Sequence, residues 1–230
     1  MINFIENSLF FGAALSLAGY EVGLLLKKKF KMALFNPLLI AILCVMGMLQ
    51  LMQVDYKTYN AGGQYISYLL TPATVCLAVP LYRQLTLLRK NLKAVVIGIV
   101  SGVLASMVSV LIFAKLFGLS HSEYVTLLPK SITTAIGMGV SEELGGVVTI
   151  TVAVIVITGV LGNVISDLVC KLFRLEEPVA KGLALGTAAH AIGTAKAMEL
   201  GEIEGAMSSL AIAVAGLLTV VTSSVFASLM

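Results

Sequence analysis

Two stretches decide how this chain is organised: Ser131-Ile132-Thr133-Thr134-Ala135-Ile136-Gly137-Met138-Gly139-Val140-Ser141-Glu142-Glu143-Leu144-Gly145-Gly146, and, 56 residues on, Thr187-Ala188-Ala189-His190-Ala191-Ile192-Gly193-Thr194-Ala195-Lys196-Ala197-Met198-Glu199-Leu200-Gly201-Glu202. Laid over one another they agree at six of 16 positions, Ala-Ile-Gly from Ala135 and Ala191 and Glu-Leu-Gly from Glu143 and Glu199. Lys130, Thr133, Thr134, Glu142 and Glu143 in the first, and His190, Thr194, Lys196 and Glu199 in the second, make both too polar for a helix exposed to lipid. Such segments have to face protein or water, because unsatisfied polar groups are costly in hydrocarbon.

Around them the chain is written for a bilayer. Of 230 residues 59% are hydrophobic and 12% charged, against about 25% charged in a soluble domain, which excludes an ordinary soluble protein. Six apolar runs are long enough to cross the hydrocarbon core: Ile5 to Leu26, Leu34 to Val54, Ile66 to Tyr82, Ala94 to Phe117, Val147 to Leu172 and Ile203 to Met230. The fold expected is therefore all-α and polytopic, with about six full spans plus two interrupted or re-entrant polar segments. It forms one integral membrane domain, in which residues 1–93 hold three spans and residues 94–230 a span followed by two units of broken segment plus span.

Charge sets the orientation. Eleven Lys and Arg residues fall in Lys27 to Lys31, Arg83 to Lys93 and Lys171 to Lys181, whereas the loop from Asp55 to Gln64 holds only Lys57. Positive loops stay in the cytoplasm, so the N-terminus is expected outside and the chain in the cytoplasmic (inner) membrane. Residues 127–146 then begin and end on the outer face, and residues 182–202 on the inner face. About ten helical residues cover half of a core roughly 30 Å thick, so each segment can dip to the midplane and return. Successive units of opposite orientation make an inverted repeat, and broken helices at matching places in such a repeat are where transporters bind substrate.

The candidate binding residues follow from that arrangement. Lys130 after Pro129, beside the hydroxyls of Ser131, Thr133 and Thr134, suits a small carboxylate, the alternative being a lysine snorkelling to the interface. Gly137 in the first segment, and Thr187, His190, Gly193, Thr194 and Lys196 in the second, complete the expected substrate site, with Lys196 equally able to pair with Glu199 at i,i+3. His190, Glu143 and Glu199 are the candidates for proton or ion coupling, since imidazole titrates near neutrality. Asn36-Pro37, Thr71-Pro72 and Pro80 interrupt spans two and three. Gly98 to Gly102 reads as a small-residue packing pair.

Other classes find no support. The basic clusters are explained by topology, and with no Trp and few aromatics a nucleic-acid surface is not expected. Cys44, Cys76 and Cys170 lack metal or disulfide spacing, and no phosphate loop, nucleophile elbow or zinc motif is present, so neither enzyme, metal nor cofactor is expected.

Leu128-Pro129-Lys130-Ser131-Ile132-Thr133-Thr134, Gly186-Thr187-Ala188-Ala189-His190-Ala191-Ile192-Gly193-Thr194-Ala195, Glu204-Gly205-Ala206 and Ser208-Ser209-Leu210 closely resemble the LrgB/CidB family, and the likeness extends to Asn36-Pro37-Leu38-Leu39 and Pro80-Leu81-Tyr82. Two positions depart from the family's pattern: Ala135, where a proline is common, and Ala189, where a serine usually precedes the histidine. The resemblance implies two roles. The bacterial family is named for control of murein hydrolase activity and autolysis together with a small LrgA/CidA-type membrane partner, and related proteins move glycolate, glycerate or pyruvate. Read with the residues, it favours a transporter or facilitator of small monocarboxylates such as pyruvate, glycolate or lactate. The alternative is a holin/antiholin-like regulator of murein hydrolase export. Expected partners are the carboxylate, membrane lipid, the LrgA/CidA-type protein and further copies of the chain.

Overall fold

The computed structural model describes residue 8 and residues 10–30, 35–76 and 78–230. The described residues form twelve α-helices and no strand, in two compact units, Met1–Cys76 and Leu77–Met230.

The first unit holds α1 (Phe11–Phe30), α2 (Pro37–Met52), α3 (Tyr56–Ser67) and α4 (Leu70–Cys76). Asn36 caps α2: its side-chain oxygen accepts from the backbone N–H of Leu38 at 2.8 Å and of Leu39 at 3.3 Å, while Pro37 occupies the first helical position. Such a cap is worth about 1 kcal/mol, and proline there loses no hydrogen bond. Gly23 lets α1 meet this corner closely, since a methyl group on it would fall 2.7 Å from the Pro37 Cα.

The second unit holds α5 (Ala78–Arg83), α6 (Leu85–Lys90), α7 (Leu92–Phe117), α8 (His121–Leu127), α9 (Thr134–Glu143), α10 (Val148–Leu172), α11 (Pro178–Leu200) and α12 (Glu202–Ala227). Among the described residues three helices are long and apolar enough to cross a membrane: α7, α10 and α12. On α7 both faces are apolar: Val95, Ile99, Val103, Met107, Val110 and Ala114 are buried at helical spacing, while Ile97, Leu104, Val108, Ile112 and Phe113 are exposed. Large apolar side chains on its exposed as well as its packed face suit a span in lipid.

The other three expected runs look different. Residues 1–7, 9, 31–34 and 77 lie outside the described part, so the start of the first run does too. α2, within the second run, has 16 helical residues. The run Ile66 to Tyr82 is not one helix: α3 ends at Ser67, a turn occupies 68–69, and helix resumes at Leu70. Thr71-Pro72 supplies part of the reason, because proline lacks the N–H that an uninterrupted helix needs.

Both polar segments are interrupted, and in each the chain doubles back. The first runs through α8, an irregular stretch at 128–133, and α9. Ser122 Oγ donates to the Gly145 carbonyl at 3.2 Å, and Thr126 Oγ1 accepts from the Val147 N–H at 2.8 Å, so the two ends of the segment lie side by side. Thr151, fully buried on α10, donates to the Thr126 carbonyl at 2.9 Å, and its Oγ1 lies 2.7 Å from Ser141 Oγ, tying both limbs to the following span. In the second segment α11 breaks at His190, with φ 42° and ψ −134°. A methyl on Gly193 would collide with the Leu185 carbonyl oxygen and lie 2.7 Å from Ala189 Cβ. Residues eight apart in a continuous helix stand about 12 Å apart along the axis, so this approach requires reversal.

The packing against α12 agrees. Gly186 on the first limb of α11 lies against the Ser208 carbonyl, and Gly182 against that of Glu204, so the two sequences rise together. On the second limb Gly205 faces Met198 and Ser208 faces Thr194, so the sequences run opposite. Each segment is thus a helical hairpin followed by a span. No buried side-chain nitrogen or oxygen among the described residues lacks a hydrogen-bond partner.

Candidate functional site

The first hairpin turn, α7 and the first limb of α11 line one cavity of about 970 Å³. Lys130 and Ser131 come from the first turn, Thr187 and Ala188 from the first limb of α11 just before its break, and Ser101, Ser106 and Ser109 from α7. Lys130 Nζ donates to Ser131 Oγ at 3.0 Å, and Ser131 Oγ lies 3.0 Å from Ser106 Oγ. One ammonium and a line of hydroxyls therefore converge where the first hairpin turns. Thr187 Oγ1 donates back to the Leu183 carbonyl at 2.7 Å, which fixes its rotamer and turns an oxygen acceptor toward α7.

Glycine on α7 makes the depth. A methyl at Gly102 would stand 3.0 Å from Thr187 Oγ1, and one at Gly98 would stand 3.3 Å from Leu183 Cδ1. Beyond Ser106, Ser131 and Thr187 lies a second space of about 10 Å³, reaching Ala215 and Thr219 on α12. That is close to one water's worth of probe volume, too little for a carboxylate. The three hydroxyls thus close the deep end of the cavity. At its other end stand Asn91 and Glu177, next to the first turns of α7 and α11.

Of the residues singled out from sequence, Lys130, Ser131 and Thr187 line this cavity. Thr133 is the residue before α9 and Thr134 its first helical residue. Gly137 packs against the Ile155 side chain. His190 is 3% exposed, with Nε2 2.9 Å from the Ile155 carbonyl oxygen. A carbonyl only accepts, so Nε2 carries a proton and the ring anchors the break in α11 to α10. Gly159, opposite, leaves room for the ring: a methyl there would stand 2.6 Å from His190 Cε1. Thr194 Oγ1 donates to the His190 carbonyl at 3.1 Å and lies 2.6 Å from Ser208 Oγ, while Gly193 sits inside the hairpin. Asn163 Nδ2 donates to the Ile192 carbonyl at 3.0 Å, which satisfies backbone beside the break. Lys196 pairs with Asp167 at 3.0 Å, and Glu143 and Glu199 are exposed.

Sequence reasoning did not assign Ser101, Gly102, Ser106 or Ser109 to the site. Their signal was present: three hydroxyls within nine residues of an otherwise apolar span, at spacings that share a helix face with the glycines. Gly98 and Gly102 were read as packing residues, and they both pack and line the cavity.

Three apolar spans, two of them preceded by hairpins, with an open, mainly apolar cavity that carries Lys130 and a line of hydroxyls, define an all-helical membrane protein. Residues 16–229 match the model of the LrgB-like family, and the chain belongs to that family. It is 41% identical over 218 residues to a Bacillus mycoides protein named antiholin-like protein LrgB, spanning 94% of this chain and 95% of the relative. Proteins of the same name from Bacillus cereus and Bacillus anthracis are 40% identical over the same shares. No solved structure matches the chain.

Proposed function

We propose that the chain acts as an antiholin-like membrane protein that regulates murein hydrolase export and autolysis. The observation that carries this reading is the near-full-length similarity, at about 40% identity, to relatives bearing that name. It reverses the order reached from sequence alone, where carboxylate transport came first. In a host lacking its own copy, expression of the chain is expected to delay lysis and lower murein hydrolase activity outside the cell. Unchanged lysis timing with full expression in the membrane would refute it.

A second reading, a facilitator of small monocarboxylates, is favoured by one observation: a single ammonium among hydroxyls in a cavity of about 970 Å³. A carboxylate meeting Lys130 would gain charge-assisted hydrogen bonds of about 1.5–3 kcal/mol. The decisive experiment is uptake of labelled pyruvate and glycolate by proteoliposomes, with a neutral solute of similar size as leak control. Saturable uptake of the acids alone, lost in Lys130→Ala and Gly102→Val, supports transport. Equal passage of all solutes regardless of mutation supports a pore, and no passage rejects the reading for the isolated chain.

Either role fits six spans, an outside N-terminus, the inner membrane and an inverted repeat. In support of the repeat, hairpin plus span occurs twice in succession and the two hairpins share the Ala-Ile-Gly and Glu-Leu-Gly positions. Either role also leaves a place for the small LrgA/CidA-type partner and for self-association.

A further inference from the structure

We propose that a second, separate pocket at the carboxyl end of α10 holds the phosphate headgroup of an anionic phospholipid. The pocket, of about 430 Å³, is lined by Lys171, Arg174 and Lys181. Two carboxylates share it, but Asp167 is bound by Lys196 at 3.0 Å, which leaves three cations against Glu176. None of the three cations makes an ion pair with a described residue. Their side of the chain follows from the positive-inside rule, but that rule does not ask that they surround one concavity.

The backbone gives an independent observation. α10 ends in a Schellman turn: the Leu175 N–H reaches the Cys170 carbonyl at 2.8 Å and the Arg174 N–H reaches that of Lys171 at 3.2 Å. The residue in the left-handed conformation, at φ 53°, is Arg174, where glycine is ordinarily preferred. That turn fixes where the Arg174 side chain leaves the helix end, beside Lys171 and Lys181.

The phosphate chemistry alone would also suit a soluble anion. The surroundings favour lipid: Leu175 and Leu200 line the same pocket, and Leu168, Leu172 and Phe173 on the last turns of α10 are about 70% exposed. A headgroup seated on the cations would lay its chains along that apolar flank, as basic pockets at span ends do with anionic lipids.

Cys170 lines the pocket and reports on its occupancy. The full-length protein, in neutral detergent, is labelled with an uncharged water-soluble maleimide while phosphatidylglycerol, phosphatidylcholine or inorganic phosphate is titrated in. Phosphatidylglycerol is expected to protect Cys170, with the other two additives ineffective. Arg174→Gly, which relieves the backbone while removing the guanidinium, is expected to weaken protection about tenfold, the scale of one charge-assisted contact. Lys181→Gln is expected to weaken it as well. Gln at Lys27, Lys28 and Lys29 together removes three cations elsewhere and should leave protection intact.

Equal protection by phosphatidylcholine would reduce the site to apolar burial, and equal protection by inorganic phosphate would make the ligand a soluble ion. Either overturns the proposal. So do undiminished protection in both pocket variants, loss of protection in the Lys27, Lys28 and Lys29 variant, and no protection by any additive.

Discussion

Replacing Gly193 with alanine separates a reversed α11 from a straight one by the sign of the effect. In a continuous helix the change removes the entropic penalty of glycine and stabilises by about 0.5–1 kcal/mol. In the hairpin the new methyl runs into the Leu185 carbonyl oxygen and stands 2.7 Å from Ala189 Cβ. Neither neighbour is the free end of a flexible side chain, and His190, which would have to shift, is held by Ile155 at 2.9 Å. Forcing a methyl into packed surroundings costs about 1–3 kcal/mol, so the net change expected is destabilisation by up to about 2.5 kcal/mol. For a chain of this size about 1 kcal/mol moves the melting midpoint by about 2–4 °C. Gly139, in α9, has open space where its methyl would go, and Gly139→Ala is the matched control expected to be neutral or stabilising. Thermal unfolding in detergent, followed by far-ultraviolet circular dichroism, measures both. A Gly193→Ala variant as stable as Gly139→Ala would refute the reversal, and with it the hairpin whose first limb lines the proposed site.

Thr151→Val leaves the buried Ser141 hydroxyl and Thr126 carbonyl without their shared partner, and should destabilise by about 1–3 kcal/mol in denaturant unfolding. Adding Ser141→Ala should recover part of that loss. A single-variant effect below experimental error would remove the polar tie between the first hairpin and α10. At the start of α8, hydrogen bonds from the Ser120 hydroxyl and N–H to the Glu123 carboxylate hold its carboxyl below the usual range. A lowered folded-state value means the cap is fully present above the ordinary carboxylate pKa of about 4.3 and is lost as pH falls through the depressed one. Carbon-detected NMR titration should find the Glu123 midpoint below that of free glutamate, and Ser120→Ala, which removes the hydroxyl donor but keeps the backbone N–H, should bring it part of the way back. An unshifted midpoint in the wild type would contradict the capping box.

Three of the six expected apolar spans, α7, α10 and α12, and the two broken polar segments were legible in the chain, because membrane insertion depends on summed side-chain hydropathy over about 20 residues and local polarity breaks that sum. Lys130, Ser131 and Thr187 were legible for the same reason: polar groups in an apolar context stand out singly. Sequence alone could not decide which polar groups face a shared space. Thr133, Thr134, His190 and Thr194 carry the same chemistry as the cavity residues, yet His190 and Thr194 are spent satisfying backbone and hydroxyl groups around the break in α11. Ser101, Ser106 and Ser109 enter the site because α7 happens to lie beside the first hairpin turn and the first limb of α11. Hydropathy and periodicity are properties of neighbours along the chain; they marked α7, α10 and α12 as spans but did not show the turn at 68–69 inside the expected span Ile66 to Tyr82. A binding site is a property of neighbours in space, set by where glycines such as Gly102 and Gly193 allow backbones to meet, and only the tertiary structure decides that.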